Sequence, residues 1–582
     1  MVRPLAFVLT ACVVAASGCT CAEKTAPQTP TIQGPSQDWL DGALPPSVME
    51  GTPKQGGTLT IRLQAEPKML NRLHDAGQDA WAVRTIVGPV VETLCELDRD
   101  TAPRYRLKPV LAERWEISAD RRTTTFHLRH GVTFHDGQPF SAKDVKAVLD
   151  AIRDPKQPTT RMRGLLAELD GYETPDPWTV VVHWKRPDFL ATRQLATVIP
   201  IFPASALEGD LDTLAINRAP VGTGPFRFDK WESGRAIELV RNETYWGKKA
   251  HVDRIVFRIV KDGTVATQMF ERGAFDLMTA IPPHVWRGLE AVKAENAWAW
   301  RDYHRIRFPE NAYNWIGFNQ ARPPFGDVRV RRALAQLIPY DAIEEGIYLG
   351  LEPITTCPFY ALGPACDPGL EAPDSPQRLR YDPEDAKALL DAAGWKDTDG
   401  DGVRDHDGRP FDLTFLIYAS SVNLGKLAPV LQDEWRKAGI RLHVEKVDWA
   451  VFTERLRTHA FDMVSLGWSA LDAEDDLYFN FHSSQVKDGT NYVSYVNPEL
   501  DRLLEAVRGE HDEQRRIALE RQIHRLVYRD QVYLFLGRRS ALDAAKKTVH
   551  GLRPAINWYR LADLWLDAPA PHAEATTRAT PD

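Results

Sequence analysis

"FDLTFLIYASSVNLGKLAPVLQDEWRKAGIRLHVEKVDWAVFTERLRTHAFDMVSLGW", from Phe411 to Trp468, changes its hydrophobic period repeatedly, and each change marks a new element. "FDLTFLIY" reads as a strand and "KLAPVLQDEWRKAG" as a helix stopped at Gly439. "IRLHVEKV" returns to a strand with Ile440, Leu442 and Val444 on one face; "AVFTERLRTH" is helical again, and "FDMVSLGW" is a nearly all-apolar strand. Two successive βαβ units imply parallel strands covered by helices on both faces. "DRIVFRIV", "GTVATQMFERG" and "AFDLMTA" repeat the pattern at 253–280. The expected fold class is therefore α/β, with two separate α/β bodies. At 582 residues the chain is long enough for two or three domains.

Parallel strands also say where to look for a ligand, because open α/β sheets bind in the crevice beyond the carboxyl ends of their strands. "GWSALDAEDD" (Gly467–Asp476) leaves one such end, Ser420 and Ser421 follow "FLIYA", and Asp448 and Trp449 follow "HVEKV". Three neighbouring strand ends thus offer indoles, hydroxyls and carboxylates to one place. The candidate ligand-binding residues are Trp449, Trp468, Ser469, Asp472, Asp448, Ser420 and Ser421. Elsewhere the local signals are of the ordinary kind. "GGTLTIRLQ" alternates as a half-buried strand; "FSAKDVKAVLDAI" is a helix capped by Ser141 with Asp144 three residues on; "DPEDAKALLDAAG" has Asp382 as cap, Pro383 at the first helical position and Gly394 at the stop.

The amino terminus, "MVRPLAFVLTACVVAASGC", has a basic start, a short apolar run and small residues before Cys19. That is the layout of a secretory leader, too short for a membrane span of about 20 apolar residues. "ASGC" resembles the lipobox of bacterial lipoproteins, which implies a lipid on Cys19 and an anchor in a bilayer, although Ala16 stands where that pattern prefers Leu. Residues 22–53 are Pro-rich without periodicity and read as a flexible tether; "APAPHAEATTRATPD" reads as a disordered tail. Export permits disulfides, and Cys357 and Cys366 flank a Pro/Gly loop short enough to close, so these two are expected to pair. The net charge of −8, without a basic cluster, argues against a nucleic-acid partner.

Several stretches together resemble the family 5 extracellular solute-binding proteins, the peptide, dipeptide and nickel receptors of ABC importers. They are "VVETLCELDRD" with "PVLAERWEISADRRTTTFHLRHGVTFHDGQPFSAKDV", then "PVGTGPFRFDKWESGRAIELVRNETYWG", "NWIGFNQARPPFGDVRVRRALAQLI", "YDPEDAKALLDAAGW", "FDMVSLGW" and "NYVSYVNPELDRLL". The resemblance runs from about 57 to 535. It implies a periplasmic-binding-protein-like fold (type II, cluster C), two α/β lobes with a hinge plus an inserted domain. It further implies a leader at 1–18, a lipidated cysteine and tether at 19–54, and a discontinuous domain I at 55–91, 215–305 and 530–567. Domain II is then 92–214, domain III 306–529, and the tail 568–582. The implied function is a membrane-anchored extracytoplasmic receptor, in the periplasm or at the cell surface, which closes on a short peptide or similar extended solute and delivers it to ABC permease subunits. It works as a monomer with no cofactor, and it is not an enzyme. Receptors of the same fold for an oligosaccharide or a metal chelate are the alternatives within the class; a secreted lipoprotein hydrolase is the alternative outside it.

The resemblance fails at two residues. Peptide-binding members carry an Asp three positions after the Trp of the "GW" motif, where it pairs with the peptide's amino terminus; this chain has Leu471 there and Asp472 one later. Some members place an Arg three before that Trp, where this chain has Ser465. Neither terminal charge clamp stands in the expected place. "DTDGDGVRDHDG" (Asp397–Gly408) spaces its acids like a calcium loop but has Gly408 where the bidentate Glu belongs, so no metal is expected. His130 and His135 read as structural. No nucleophile elbow, zincin helix, P-loop or dinucleotide fingerprint is present, and Asp475 beside Asp476 would serve acid–base chemistry only with shifted pKa values.

Overall fold

The computed structural model describes residues 39–41, 51–77, 85–291, 300, 302–470, 472, 474–554, 556 and 558–567, all within the compact unit Pro35–Asp582. The leader 1–18, Cys19 and the tail 568–582 lie outside the described residues. Among the described residues no helix is long and apolar enough to cross a membrane.

Strands β1 (Trp39–Asp41) and β2 (Thr58–Leu63) precede a separate antiparallel sheet of β3 (Ala112–Ile117), β4 (Thr123–Leu128), β5 (Leu169–Asp176) and β6 (Thr179–Trp184), ordered β3-β4-β6-β5. Helix α1 (Ala142–Arg153) begins at Ser141, whose backbone N–H donates to the Asp144 carboxylate at 2.8 Å, and α2 (Phe189–Thr197) is capped by Asp188. The chain then returns as β7 (Phe226–Glu232), β8 (Ala236–Arg241), β9 (Arg254–Ile259), α3 (Gly263–Glu271) and β10 (Leu277–Met278). β11 (Tyr303–Phe318) leads to α4 (Pro383–Ala392), β12 (Asp412–Tyr418), α5 (Val422–Lys437), β13 (Arg441–Val447), α6 (Trp449–Arg457) and β14 (Met463–Ser469). Helices α7 (Pro498–Gly509) and α8 (Glu513–Arg529) and strand β15 (Leu534–Lys546) follow.

One eleven-stranded sheet collects most of these strands in the order β13-β12-β14-β11-β15-β10-β2-β9-β8-β7, with β1 alongside β11. The expected parallel triplet is present, β12 pairing in parallel with β13 and β14; in the βαβ unit expected at 253–280, β9 and β10 each pair in parallel with β2, which lies between them. Side-chain alternation splits the first triplet between two cores. Leu413, Phe415 and Ile417 meet Leu427, Leu431 and Trp435 of α5, whereas Leu416 and Val464 meet Phe452, Leu500, Leu504 and Val527 of α6, α7 and α8.

The expected two separate α/β bodies are halves of this one sheet. β11 and β15 are long enough to serve both, and they pair antiparallel through most of their length. At one end Ile306 and Phe308 join the core around Leu59 and Ile61; at the other, Trp315 and Tyr313 join the core around Phe452 and Val464. Between them the register slips from Pro309 to Tyr313, where the proline offers no N–H to the ladder. A second correction concerns the stretch 19–54 read as leader-proximal tether. Trp39–Asp41 within it is a strand, in parallel register with Arg305–Arg307, and three residues are too few for periodicity to reveal. Cys357 and Cys366 form a disulfide with their Cα atoms 5.7 Å apart, and Cys95 is a buried free thiol.

Candidate functional site

The three strand ends singled out in the sequence do lie side by side, since β13, β12 and β14 are consecutive in the sheet and parallel. Their polar groups have local duties, however. The Ser421 hydroxyl caps α5 by accepting the Leu424 N–H at 3.2 Å. The Asp448 carboxylate caps α6, accepting from Ala450 and Val451 at 2.8 and 3.0 Å. Ser420 and Ser469 are exposed, the latter opposite Ala312 in the β11–β14 register.

The two tryptophans differ. Trp449, the first residue of α6, is 53% exposed, with its ring edge-on to Tyr418 (5.3 Å) and parallel to Phe452 (5.6 Å). Trp468 is half-buried between Trp315 and Tyr492, at 5.9 and 6.0 Å, and its indole N–H donates to the Tyr533 hydroxyl. Trp468 is thus the outer layer of an aromatic stack, while Trp449 offers a free face.

Asp472 is not open to a ligand. It is 7% exposed, and both carboxylate oxygens receive N–H groups of Arg193 at 2.7 Å. Arg193 lies on α2, 279 residues away in sequence, and also donates to the Tyr105 carbonyl at 2.6 Å. Two more acids of the loop, Glu474 and Asp476, are engaged in the same way. Glu474 takes a two-bond grip from Arg516 at 2.8 Å, and Arg516 in turn lies 3.9 Å over the Phe189 ring of α2. Arg508 sits between Asp476 (3.2 Å) and Asp188 (3.4 Å) and over the Tyr478 ring. Asn311, at the register slip of β11, donates to the Asp472 carbonyl at 2.6 Å. The loop after "GW" therefore ties α2 to α7, α8 and the break in β11.

That seam is crowded with carboxylates removed from water. Burial pushes Asp188 up to about 6, against the pull of Arg508, and pushes Asp475 up to about 8, with Asp472 adding to the rise. Sequence reasoning saw the acids and missed Arg193, Arg508 and Arg516, for which no local signal exists. Their partners are set by the fold.

A cavity of about 280 Å³ lies beside this seam. Arg72, Arg99, Arg560, Glu92, Glu96 and Tyr105 contribute to its wall, and none of the residues chosen from the strand ends does. Tyr105 joins it to the seam: its carbonyl accepts from Arg193, and its ring lies 6.1 Å from that of Tyr360, beyond the disulfide loop's first cysteine. Small-molecule sites run from roughly 300 Å³ upward, so the cavity matches one small solute or one side chain of a longer one.

The calcium-like loop brings Asp397, Asp399 and Asp405 together, with an oxygen of each within 4.8 Å of the others. These oxygens are largely used by the loop itself. Asp397 accepts from Gly400 and Gly402, and Asp405 from Thr398, which is how an exposed acidic turn holds its own shape. His135 bonds the Gly224 carbonyl and His130 lies against Trp178, both structural placements.

Comparison with known proteins adds three findings. Residues 106–489 match the model of the bacterial extracellular solute-binding proteins, family 5 Middle. The oligopeptide-binding protein AppA of Bacillus subtilis is 26% identical over 528 residues, covering 89% of this chain and 93% of the relative; Protein XP55 of Streptomyces lividans is 30% identical over 515 residues, covering 85% and 87%. The solved structure of Bacillus subtilis AppA in complex with a nonapeptide superposes with a TM-score of 0.74 at 26% identity, covering 89% of this chain and all of that one. NikZ of Campylobacter jejuni, solved with Ni(L-His), shares the fold at a TM-score of 0.71 and 24% identity, covering 87% of this chain and 97% of its own.

Proposed function

Because the chain belongs to the bacterial extracellular solute-binding proteins of family 5, we propose that it captures a short peptide, or a similarly extended solute, outside the cytoplasmic membrane and passes it to an ABC permease. The observation that carries this reading is the pair of strands β11 and β15, which run from one core to another and lose register at 309–313, beside the strand end of β14. In this reading 55–91, 215–305 and 530–567 form one lobe, 306–529 the other, and 92–214 the insert. The slip at 309–313 is the hinge, and solute binds by favouring the closed arrangement. No step of chemistry is needed, and the buried acids of the seam are structural.

Trp449 supplies an apolar wall with an exposed face, so Trp449→Ala is expected to weaken solute binding about tenfold while leaving the unfolding free energy of the empty chain within about 1 kcal/mol of wild type. Calorimetric titration with the natural solute, identified by native mass spectrometry of protein purified from its host, checks both halves. Recovery of peptides supports the reading; recovery of an oligosaccharide or a metal chelate replaces its substrate. Loss of stability without loss of affinity would make Trp449 a packing residue.

Anchoring at Cys19 belongs to the same proposal, resting on "ASGC" after the apolar run. In the native host Cys19→Ala is expected to move the protein from the membrane fraction to the soluble fraction. Continued membrane association of the variant would remove the lipid from the account.

A further inference from the structure

Beyond their structural role, we infer that the acids buried between α2 and α7 are a proton-operated latch on lobe closure: parting the lobes releases a proton, so the receptor opens more readily as pH rises. This rests on the receptor reading above and names a regulation of it.

The seam crosses the hinge. Phe126, Val145, Val182 and Leu195 of the insert share one core with Leu59, Ile61 and Ile255, which binds the insert to the first lobe. Leu500, Leu504 and Val507 of α7 belong instead to the core of Phe452 and Val464, in the second lobe. A swing about the slip at 309–313 that parts the lobes therefore draws α2 away from α7.

Charge is out of balance where the two helices meet. Asp188, the cap of α2, has a fully enclosed side chain, and Asp476 and Arg508 of the opposite lobe are 3% and 4% exposed. The charged groups around Asp188 are Glu168 from its own side, paired with Arg186 at 2.9 Å, and Asp476 and Arg508 from the other. Arg508 stands 3.4 Å from Asp188 and 3.2 Å from Asp476, and in both acids Oδ2 receives no hydrogen bond among the described residues. One guanidinium does not neutralise two carboxylates. A metal ion is not the missing counter-charge: among the described residues the acids close enough to share one are Asp397, Asp399 and Asp405, on the exposed turn. A proton is, because carboxylates that share a site out of water do not both ionise freely.

Burial pushes Asp188 up to about 6 from an ordinary 3.8, against the pull of Arg508, and raises Asp476 likewise. Parting α2 from α7 lets water reach both and returns Asp188 toward 3.8. The closed seam thus keeps a proton that the open seam releases between these two values. Opening grows easier as pH rises through that window and levels off above it.

A thiol placed in the seam of the full secreted chain measures opening. Ile517 on α8 is 8% exposed and lines a small cavity with Pro103 and Arg104 of the insert. In Ile517→Cys a pyridyl disulfide reaches the new thiol when the seam parts, while Cys95, fully buried in the first lobe's core, reports unfolding of the chain in the same sample. Labelling is read at each residue by peptide mass and divided by the rate of a free peptide of the same local sequence. At 517 it is expected to be at least about tenfold faster at pH 7.5 than at pH 5, and faster than at Cys95 at both. Adding Asp188→Asn, which keeps the oxygen that caps α2 and lacks the charge, is expected to slow labelling at both pH values, and by about tenfold more at pH 7.5 than at pH 5. Should that variant fail to fold, Asp476→Asn on the facing wall is expected to act in the same sense. A corrected rate equal at the two pH values, or a ratio between them that the Asn variants leave unaltered, overturns the latch and leaves the receptor standing. Labelling at 517 that only keeps pace with Cys95 removes the hinge itself, and the latch with it.

Discussion

Replacing Arg193 by Met is expected to lower the unfolding free energy of the empty chain by about 3–5 kcal/mol, the range for a buried ion pair stripped of one partner. The partners are almost fully enclosed, their side chains 4% and 9% exposed, so water does not replace the lost guanidinium. Without Arg193 the Asp472 carboxylate keeps, among the described residues, the Glu474 N–H as donor at 3.2 Å. The Tyr105 carbonyl loses its donor as well. Asp472→Leu alone is expected to cost a similar amount by stranding the cation. The double variant Arg193→Met with Asp472→Leu is expected to recover most of the loss, since neither buried charge is then left without its counter-charge. Urea unfolding of the four proteins gives the cycle. A loss below about 1 kcal/mol in the first variant would mean that the pair is open in solution and that Asp472 is available to a solute after all.

The same pair shows where sequence reasoning reached and where it stopped. The run from Phe411 to Trp468 was legible because each element carries its own period, and a parallel triplet follows from two βαβ units whatever the rest of the chain does. The strand-end rule then brought Ser420, Ser421, Asp448, Trp449, Trp468, Ser469 and Asp472 to one edge of the sheet. It did not say which of them would be spare. Ser421 and Asp448 stand directly before helices, and a residue type that suits a ligand wall there suits an N-cap equally well. β11 was harder to see, because "RIRFPENAYNWIGF" places Pro309 in the middle of a strand, where proline ordinarily argues against one. Here the proline sits at the slip that the two-core arrangement requires. The cavity was out of reach altogether: Glu92 and Arg99 lie hundreds of residues before Arg560, and only the folded chain makes them one wall.

The pH dependence of stability should come mainly from acids that the fold keeps protonated, and Glu520 on α8 is the clearest. It is 6% exposed; burial, reinforced by Glu474 and opposed by Arg516, pushes it up to about 8 from an ordinary 4.5. The folded chain therefore holds a proton that the unfolded chain releases above pH 4.5, which makes stability fall with rising pH, by about 1.4 kcal/mol per unit for this one group, until it too ionises near pH 8. Glu520→Gln, which mimics the protonated acid, is expected to match wild type at pH 4 and to exceed it at pH 8.5 by on the order of 4 kcal/mol. Urea unfolding at pH 4, 6 and 8.5 resolves the trend. Because Glu474 is gripped by Arg516, which lies against Phe189 of α2, the proton on Glu520 is coupled to the contact between α2 and α8. An increment from Glu520→Gln that is the same at pH 4 and pH 8.5 would mean that Glu520 is already ionised in the folded chain, with Arg516 shared between two carboxylates rather than given to Glu474 alone.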